Sequence, residues 1–260
     1  MKLSKAAMNS RDRALVQVLW DTGARIEELL TLRIRDVEAI YEGQAVKLHM
    51  RKSKTDIRSP LIVRSAPALL NWIENHPLRD NRDALLWVKV NNTNGPMDYC
   101  TARKILMDLA KRIKFEKLVN PHNFRKSSAS FFSHKLSPSE LKVRFGWRQS
   151  SKMLDIYCFP DEDKINGRIL ELEGIKRGEP EKEKDELMPK RCMWCSKLNP
   201  AGQEHCSTCN RPLDPERNLL AMQIRDKLDG DIKNYVEENP GIIGGFVSYI
   251  KAKVEGRALN

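Results

Sequence analysis

The 260-residue chain has no hydrophobic segment long enough to cross a bilayer, which takes about 20 consecutive apolar residues. The most apolar stretch of its second half, residues 241–247, is far shorter than that. Residues 1–5 lead into a polar segment and not into the apolar core of a secretory signal. We therefore expect a protein that acts in the cytoplasm and has no membrane partner.

Cysteine is scarce, and the sequence shows no internal repeat. Six cysteines are too few for a disulfide scaffold of this length, and four of them lie close together. A composition of 40% hydrophobic and 31% charged residues is that of an ordinary folded protein, which excludes wholesale disorder and a collagen-like fibre. The length suits one large domain, or one domain and a small module.

Acidic residues are scarce in the first part of the chain. Residues 1–160 contain 16 acidic and 29 basic side chains, a net charge of +13, whereas residues 161–260 carry a net charge of −2. An excess of positive charge in one domain predicts a polyanionic partner, and phosphate backbones are the commonest such partner. The alternative is a cationic surface without a specific partner.

Hydrophobic periodicity predicts an α+β, mainly helical domain. A helical stripe runs through residues 11–20, and Gly23 is a natural C-terminal stop for that helix. Six further helices are predicted, at residues 24–32, 66–76, 98–113, 121–134, 138–145 and 150–158.

A small antiparallel sheet is predicted over residues 36–63. Val46, Leu48 and Met50 alternate with polar residues, which is the pattern of a half-buried strand. After a polar turn, residues 57–63 resume an extended apolar run, and Pro60 places that run at the edge of the sheet.

One predicted helix begins with residues suited to an anion. Asn120 can cap the helix, and Pro121 fits its first position. His122 and Arg125 are three residues apart and so share one face of the first turns, where free amide donors and the helix dipole favour negative charge.

Two more cations stand in comparable positions. Arg25 follows the turn at Gly23 near the start of its own helix, and Lys54 lies at the tip of the predicted hairpin. Two guanidinium groups can hold the non-bridging oxygens of a phosphodiester through paired hydrogen bonds. Phosphoryl transfer depends mainly on such positioning and charge stabilisation.

Tyr157 supplies a candidate nucleophile, 32 residues after Arg125. A tyrosine hydroxyl can attack phosphorus and form a covalent phosphotyrosine. Because its ordinary pKa is about 10, it needs neighbouring cations or a histidine acceptor to react at neutral pH.

In order and spacing, these residues resemble the catalytic domain of the tyrosine site-specific recombinases, the phage-type integrases and Xer-type resolvases. Residues 22–29, Thr-Gly-Ala-Arg-Ile-Glu-Glu-Leu, look like the first-arginine box, and Ser-Lys-Thr at 53–55 looks like the catalytic-lysine hairpin. Pro-His-Asn-Phe-Arg at 121–125 looks like the His-x-x-Arg box. Phe-Gly-Trp at 145–147 looks like the Leu-Gly-His box, and Tyr157 stands ten residues later in the place of the nucleophile.

The resemblance implies a mechanism that needs neither ATP nor a metal. Tyr157 would attack the scissile phosphate and form a 3′-phosphotyrosyl link, freeing a 5′-hydroxyl. Arg25 and Arg125 would clamp the non-bridging oxygens, Lys54 would protonate the leaving oxygen, and His122 would act as base or hydrogen-bond partner. The implied partner is double-stranded DNA, on which the chain would self-associate as a tetramer.

Two features depart from the usual family pattern. Trp147 replaces the second histidine, and an indole donates one hydrogen bond but cannot shuttle protons. Glu28, by contrast, agrees with the pattern, because it stands in the place of the carboxylate that buttresses the first arginine. The N-terminal helical domain that usually closes round DNA has no counterpart here, so we expect a catalytic domain, natural or excised, whose specific DNA binding is weak by itself.

The clustered cysteines form two Cys-x-x-Cys hooks, which predict structural zinc. Four thiolates from two tight turns suit tetrahedral Zn²⁺ and leave no open position for catalysis. The four ligands would be Cys192, Cys195, Cys206 and Cys209. The module could serve folding alone, or it could contact DNA or protein.

We therefore expect four segments. They are a recombinase catalytic domain at 1–175, a charged linker at 176–190, a zinc ribbon at 191–213 and a C-terminal helical segment at 214–260. An amphipathic helix at 215–236 would pack on the rest of the chain or form a subunit contact. The alternatives to a recombinase are a relaxing enzyme like the type IB topoisomerases and a non-catalytic zinc-ribbon DNA-binding accessory protein on the same fold.

Overall fold

The structure is a computed structural model that describes residues 2–50, 58–90, 94–154, 162–175, 188–239 and 241–244. Residues up to Cys209 form one compact unit, and those from Asn210 onward form a second. A search of the described helices finds none with the length and apolar character needed to cross a membrane.

The architecture is α+β and mainly helical, as predicted. The described helices are α1 (Lys2–Lys5), α2 (Ser10–Thr22), α3 (Ile26–Leu30), α4 (Ala66–Glu74), α5 (Tyr99–Arg112), α6 (Pro121–Ser133), α7 (Pro138–Phe145), α8 (Glu162–Leu172) and α9 (Pro215–Glu238). The strands are β1 (Val37–Ile40), β2 (Ala45–Leu48), β3 (Leu61–Ile62), β4 (Lys190–Arg191) and β5 (Leu198–Asn199).

Helix α2 lies at the centre of the first unit, where it packs against α4 and α6. Its start is capped by Asn9, whose side-chain oxygen accepts a hydrogen bond from the amide of Asp12 at 2.8 Å. Its end is Gly23, which adopts the left-handed conformation and donates its amide to the carbonyl of Leu19. The predicted stop at Gly23 is confirmed.

The predicted sheet is confirmed as three antiparallel strands in the order β1-β2-β3. Val46, Leu48 and Met50 all face the core, as their alternation indicates. Beyond the paired ends of β2 and β3, Met50 also pairs with Arg58. β3 lies at the edge of the sheet, in agreement with the position of Pro60.

Two predicted helices differ in extent from the structure. α3 begins only at Ile26 because Arg25 is still extended, with a ψ of 140°, and acts as the N-cap. Of the predicted helix at 150–158, only Met153 and Leu154 are helical among the described residues.

Two hydrophobic clusters build the first unit. The larger one joins the sheet to helices α2, α4 and α5. The smaller one lies between α6 and α7 and consists of Ala129, Leu141, Phe145 and Trp147. Phe145 also contacts the end of α2, because a Cβ atom added to Gly23 would lie only 2.3 Å from its ring. The end of α7 is therefore packed directly against the turn that follows α2.

In the second unit, the helix predicted at 215–236 is confirmed as α9. Asp214 caps it by accepting hydrogen bonds from the amides of Glu216 and Arg217, both at 3.1 Å. Its stripe of apolar residues is more than half exposed at each position: Leu220, Ile224, Leu228 and Ile232.

We predict that Gly23→Ala destabilises the first unit by about 2–4 kcal/mol. The new methyl group would meet the buried Phe145 ring, and the φ of +53° would strain any residue other than glycine. Gly174→Ala is the matched control, because Gly174 also has a positive φ, +76°, but has no atom within 4 Å of an added Cβ. That variant should lose only about 1 kcal/mol.

Chemical denaturation of the two variants measures both losses. Equal losses would show that the contact between Gly23 and Phe145 adds nothing to the backbone strain.

Candidate active site

Helix α6 presents two of the predicted site residues in its first turns. Asn120 caps the helix by accepting a hydrogen bond from the amide of Asn123 at 2.9 Å, and Pro121 is the first helical residue, both as predicted. His122 is exposed, whereas Arg125 is buried with 7% of its surface accessible. The helix thus directs the side chain of His122 to solvent and holds that of Arg125 inside the protein.

The guanidinium of Arg125 is held by two main-chain carbonyls. Nη1 donates to the carbonyl of Gly23 and Nη2 to that of Phe145, both at 2.6 Å. The group also lies over the rings of Phe145 and Trp147, 5.5 and 5.8 Å from their centroids. Arg125 is therefore fixed between the turn after α2 and the segment after α7.

Arg25 is held by the buried carboxylate of Glu28. The amide of Arg25 donates to Oε2 of Glu28 and its Nη1 donates to Oε1, both at 3.0 Å. The side chain of Glu28 is 3% exposed and that of Arg25 is 37% exposed. Glu28 thus holds the backbone and the head group of Arg25 at once, while part of the guanidinium reaches the surface.

A second arginine contacts the same carboxylate. Nη2 of Arg58 lies 2.6 Å from Oε2 of Glu28, and its Nη1 donates to the carbonyl of Arg144. Burial opposes ionisation of Glu28, but the charge of Arg58 and the hydrogen bonds from Arg58 and Arg25 outweigh it, so the pKa of Glu28 lies below its ordinary value. Glu28 is therefore a carboxylate at neutral pH.

Arg144 links the end of α7 to the end of α2. Its Nη2 donates to the carbonyl of Asp21 at 2.6 Å and lies 3.4 Å from Oδ1 of that residue. Oδ2 of Asp21 accepts hydrogen bonds from the amide and hydroxyl of Ser65, both at 2.9 Å. Burial raises the pKa of Asp21, against the lowering effects of Ser65 and Arg144.

Trp147 packs beside this network. Its ring stacks on Phe145 with centroids 5.0 Å apart and planes inclined by 21°, and only 9% of the residue is exposed. The indole therefore helps to fix the guanidinium of Arg125 in addition to any contact it makes with a ligand.

The structure brings together the segments that carry three of the predicted residues: Arg25, Arg125 and Trp147. His122 lies one turn before Arg125 on α6. Lys54 and Tyr157 lie outside the described residues. In the sequence, the described residue Arg58 follows Lys54 by four positions, and the described residue Leu154 precedes Tyr157 by three. Arg58 pairs with Met50.

An open cleft of about 830 Å³ adjoins the network between β3 and α7. Four basic side chains line it together with Trp147 and one carboxylate, Glu140; the basic residues are Arg58, Lys142, Arg144 and Arg148. The cleft therefore continues the positive charge of the arginine network to the surface.

Sequence reasoning missed Arg58, Arg144 and Asp21. A usable signal existed for Arg58: residues directly opposite each other in an antiparallel pair share a face, and Arg58 is opposite the inward-facing Met50. No comparable pattern marks the contact between Arg144 and Asp21, which are 123 residues apart.

The four clustered cysteines form a second site in the first unit. Their sulfur atoms all lie within 4.8 Å of one another, and the Cys192–Cys209 and Cys195–Cys206 pairs are each 3.5 Å apart. These separations exceed a disulfide bond and are close to the ~3.8 Å between thiolates on a tetrahedral zinc ion. The geometry suits a metal ion bound by four sulfurs.

Hydrogen bonds organise the loops that carry these sulfurs. Asn199, which is fully buried, accepts from the amide of Ser207 at 2.9 Å and donates to the carbonyl of Lys197 at 2.9 Å and to Sγ of Cys206 at 3.6 Å. Burial opposes ionisation of Cys206, but amides of the second hook and neighbouring donors lower its pKa to about 6. The hydrogen bond from the amide of Lys197 lowers the pKa of Cys195, but burial and the neighbouring sulfurs outweigh it and raise that pKa to about 11, so the shifts within the cluster differ in direction.

The cysteine module packs on the helices of the same unit. Gln17 of α2 is buried, and its Nε2 donates to the hydroxyl of Ser4 at 2.7 Å and to the carbonyl of Ala201 at 3.2 Å. Lys197 also forms an ion pair with Glu74 of α4 at 3.0 Å. The module is therefore joined to α1, α2 and α4 by side-chain contacts.

The fold resembles those of solved recombinase structures, including the following two. The crystal structure of XerA recombinase aligns with 68% of this chain and 61% of its own, at a TM-score of 0.51 and 24% identity. The post-cleavage complex of XerH site-specific recombinase with a palindromic difH substrate aligns with 66% of this chain and 51% of its own, at a TM-score of 0.51 and 18% identity.

The sequence comparisons agree with this fold. The tyrosine recombinase XerD of Corynebacterium glutamicum is 31% identical over 129 residues, which are 46% of this chain and 38% of that protein. The chain thus matches well under half the length of this curated relative. Residues 1–163 match the model of the phage integrase family. Because that match covers more than half of the chain and includes the arginine network, the chain belongs to the phage integrase family of tyrosine recombinases.

Proposed function

We propose that the chain is a site-specific DNA recombinase that cleaves and rejoins DNA through a 3′-phosphotyrosyl intermediate on Tyr157. The observation that carries the proposal is the placement of Arg125. Its guanidinium is bound to the carbonyl of Gly23, two residues before Arg25, and it lies against Trp147. Three boxes that are far apart in sequence therefore meet at one place.

The two arginines suit a phosphodiester for a physical reason. A guanidinium presents a planar set of donors that matches two phosphate oxygens. Arg125 is fixed by carbonyls and Arg25 by Glu28, so little reorganisation is needed when negative charge develops on the non-bridging oxygens. We assign the clamping of those oxygens to this pair.

The remaining roles follow from the same chemistry. The Tyr157 oxygen attacks phosphorus while the bond to the 5′ oxygen breaks, and Lys54 gives that oxygen a proton. His122 accepts or shares the tyrosine proton, and Trp147 supports the phosphate site. Religation reverses these steps with another 5′-hydroxyl, so the bond energy is kept and no metal takes part in the reaction.

Double-stranded DNA is the proposed partner, and strand exchange requires self-association on it, which we propose to be a tetramer. The positive charge of residues 1–160 supplies the attraction to the phosphate backbone. The zinc ion proposed for the four cysteines has a structural role, because a full set of thiolates leaves no position for substrate.

We predict that the full chain forms a covalent adduct with DNA and that Tyr157→Phe abolishes it. The probe is a pool of nicked duplexes of random sequence, in which the short fragment beyond the scissile phosphate diffuses away and leaves the protein trapped. Denaturing electrophoresis detects the adduct, and sequencing of the attached DNA identifies the target.

The outcomes separate the alternatives. DNA binding without any adduct would favour the non-catalytic accessory protein. An adduct followed only by relaxation of supercoiled DNA, without exchange between two sites, would favour the activity of type IB topoisomerases. An adduct that persists in Tyr157→Phe would refute the assigned nucleophile.

We also predict that Arg125→Ala slows adduct formation by about 10²–10³-fold, the usual cost of removing a donor that stabilises developing negative charge. DNA binding should weaken by less than about tenfold, because many lysines and arginines share the phosphate contacts. Lys126→Ala, an exposed neighbour on α6, is the control and should change both quantities little.

Single-turnover adduct formation and a gel-shift titration on the selected DNA give the two quantities. A proportional loss of binding and cleavage in Arg125→Ala would count against its role at the phosphate.

For the cysteine module we predict one zinc ion per chain and a lower Tm when it is removed by a chelator or by Cys192→Ser. Structural zinc contributes about 10–16 kcal/mol in small zinc modules, and this module holds Gln17 against α1. Cys100→Ser is the control, since Cys100 is an exposed cysteine outside the cluster.

Elemental analysis and calorimetry provide the measurements. A chain that binds no zinc, or a Cys192→Ser variant with the Tm of Cys100→Ser, would contradict the metal assignment.

A further inference from the structure

We infer that Arg58 is a positioning residue of the proposed reaction, which aligns the two arginines of the proposed clamp, Arg25 and Arg125, without contacting DNA itself. The inference rests on the proposed function. It comes from the contacts of one side chain that is only 6% exposed and that joins three separate segments of the first unit.

The first link runs to Arg25. Nη2 of Arg58 lies 2.6 Å from Oε2 of Glu28, the oxygen that also accepts the amide of Arg25. The other oxygen of Glu28 holds the guanidinium of Arg25. A movement of Arg58 therefore shifts the carboxylate that fixes both ends of Arg25.

The second link runs to Arg125. Nη1 of Arg58 donates to the carbonyl of Arg144, and the next carbonyl along the chain, that of Phe145, accepts Nη2 of Arg125 at 2.6 Å. Both carbonyls belong to the last turn of α7, where the regular helical backbone fixes the direction of one carbonyl relative to the next. Arg58 thus supports the second guanidinium through the backbone at the end of α7.

The third link runs to the end of β2. Beyond the paired strands, Arg58 is opposite Met50, whose amide donates to the carbonyl of Arg58 at 3.0 Å. The Arg58 side chain therefore connects the end of β2 to the arginine clamp.

The guanidinium is suited to this task in a way that an ammonium is not. Its planar fork reaches Glu28 and the Arg144 carbonyl with two different nitrogens, whereas a lysine offers one point charge on a flexible stem. Without Arg58, the buried carboxylate of Glu28 would be left with the partly exposed Arg25 as its charged partner among the described residues, so Glu28 would have to move or take up a proton. Either response would loosen Arg25.

Arg11 offers a matched control for the loss of a buried arginine. It is buried in the same unit, its Nη1 donates to the carbonyl of Val88 at 3.1 Å, and its Nη2 pairs with Asp12 at 2.6 Å. None of these contacts involves the network around Glu28. Arg11→Met should therefore reproduce the loss of stability that follows from removing a buried arginine, without affecting the clamp.

The test compares Arg58→Met, Arg58→Lys and Arg11→Met with the natural sequence in the full chain. We measure the rate of adduct formation at saturating protein on the DNA selected from the nicked random pool, the half-saturating protein concentration, and the Tm. Misplacement of reacting groups by about 1 Å costs roughly 10²-fold in rate. We expect a loss of that size in Arg58→Met, a smaller loss in Arg58→Lys, and half-saturation within about threefold throughout.

Arg11→Met should lower the Tm with a saturating rate within about threefold of the natural protein. The inference is overturned if Arg58→Met and Arg11→Met lose rate equally at equal Tm, or if Arg58→Met weakens binding but not the saturating rate. If Arg58→Met does not fold, the same comparison is decided by Arg58→Lys.

A second readout needs no DNA. In arginine-labelled protein, the guanidinium NMR signal of Arg25, assigned through Arg25→Lys, should shift in Arg58→Met and remain in place in Arg11→Met. An unchanged Arg25 signal in Arg58→Met overturns the inference, whatever the activity. A chain that forms no adduct but shows the shift would refute the proposed function while leaving the positioning link intact.

Discussion

The buried carboxylate of Glu28 is the interaction on which the candidate site depends. A charge this deeply buried is stable only when it is paired and hydrogen-bonded, and Glu28 obtains this from Arg25 and Arg58 together. The same pairing keeps Arg25 partly exposed in a fixed position. Because Arg25 directly precedes α3 and Arg58 lies just before β3, the ion cluster can form only after both segments are packed. The site and the tertiary fold are therefore formed by the same contacts.

At the turn around Gly23, too, the same contacts form the fold and the candidate site. A glycine is needed there because the Phe145 ring occupies the space of a side chain and because the backbone ends α2 in a left-handed conformation. The carbonyl of that glycine and the carbonyl of Phe145 are the two acceptors of Arg125. Close packing of the turn on the ring thus brings the two carbonyls near enough for a single guanidinium to span them. A change in this packing would therefore move the two acceptors of Arg125 and so displace its guanidinium.

The helices and strands could be predicted from local sequence signals, whereas the contacts between these elements could not. The stop at Gly23, the cap at Asn120 and the alternation from Val46 to Met50 each depend on neighbouring residues, and the structure contains all three. The helix at α3 was predicted, but its start was placed too early because Glu28 keeps Arg25 extended, a contact that helix propensity does not include. Likewise, a stripe on α9 shows which face is apolar but says nothing about what covers it, and in the second unit that face is exposed. Burial of Arg58 was accessible from strand pairing, but its partner Glu28, 30 residues away, was not.

The charge balance of the network explains how a site can be rigid and still attract an anion. Among the described residues, three guanidinium groups, those of Arg25, Arg58 and Arg144, are paired with two carboxylates, Glu28 and Asp21. A fourth, that of Arg125, is held by the carbonyls of Gly23 and Phe145. Much of the remaining hydrogen bonding goes to main-chain carbonyls, which fix the direction of a guanidinium but carry no net charge to cancel it. An excess of positive charge therefore persists in a place where solvent screens it poorly. In the proposed reaction a phosphodiester would meet this positive charge in a preformed arrangement, so binding and charge stabilisation would depend on the same contacts.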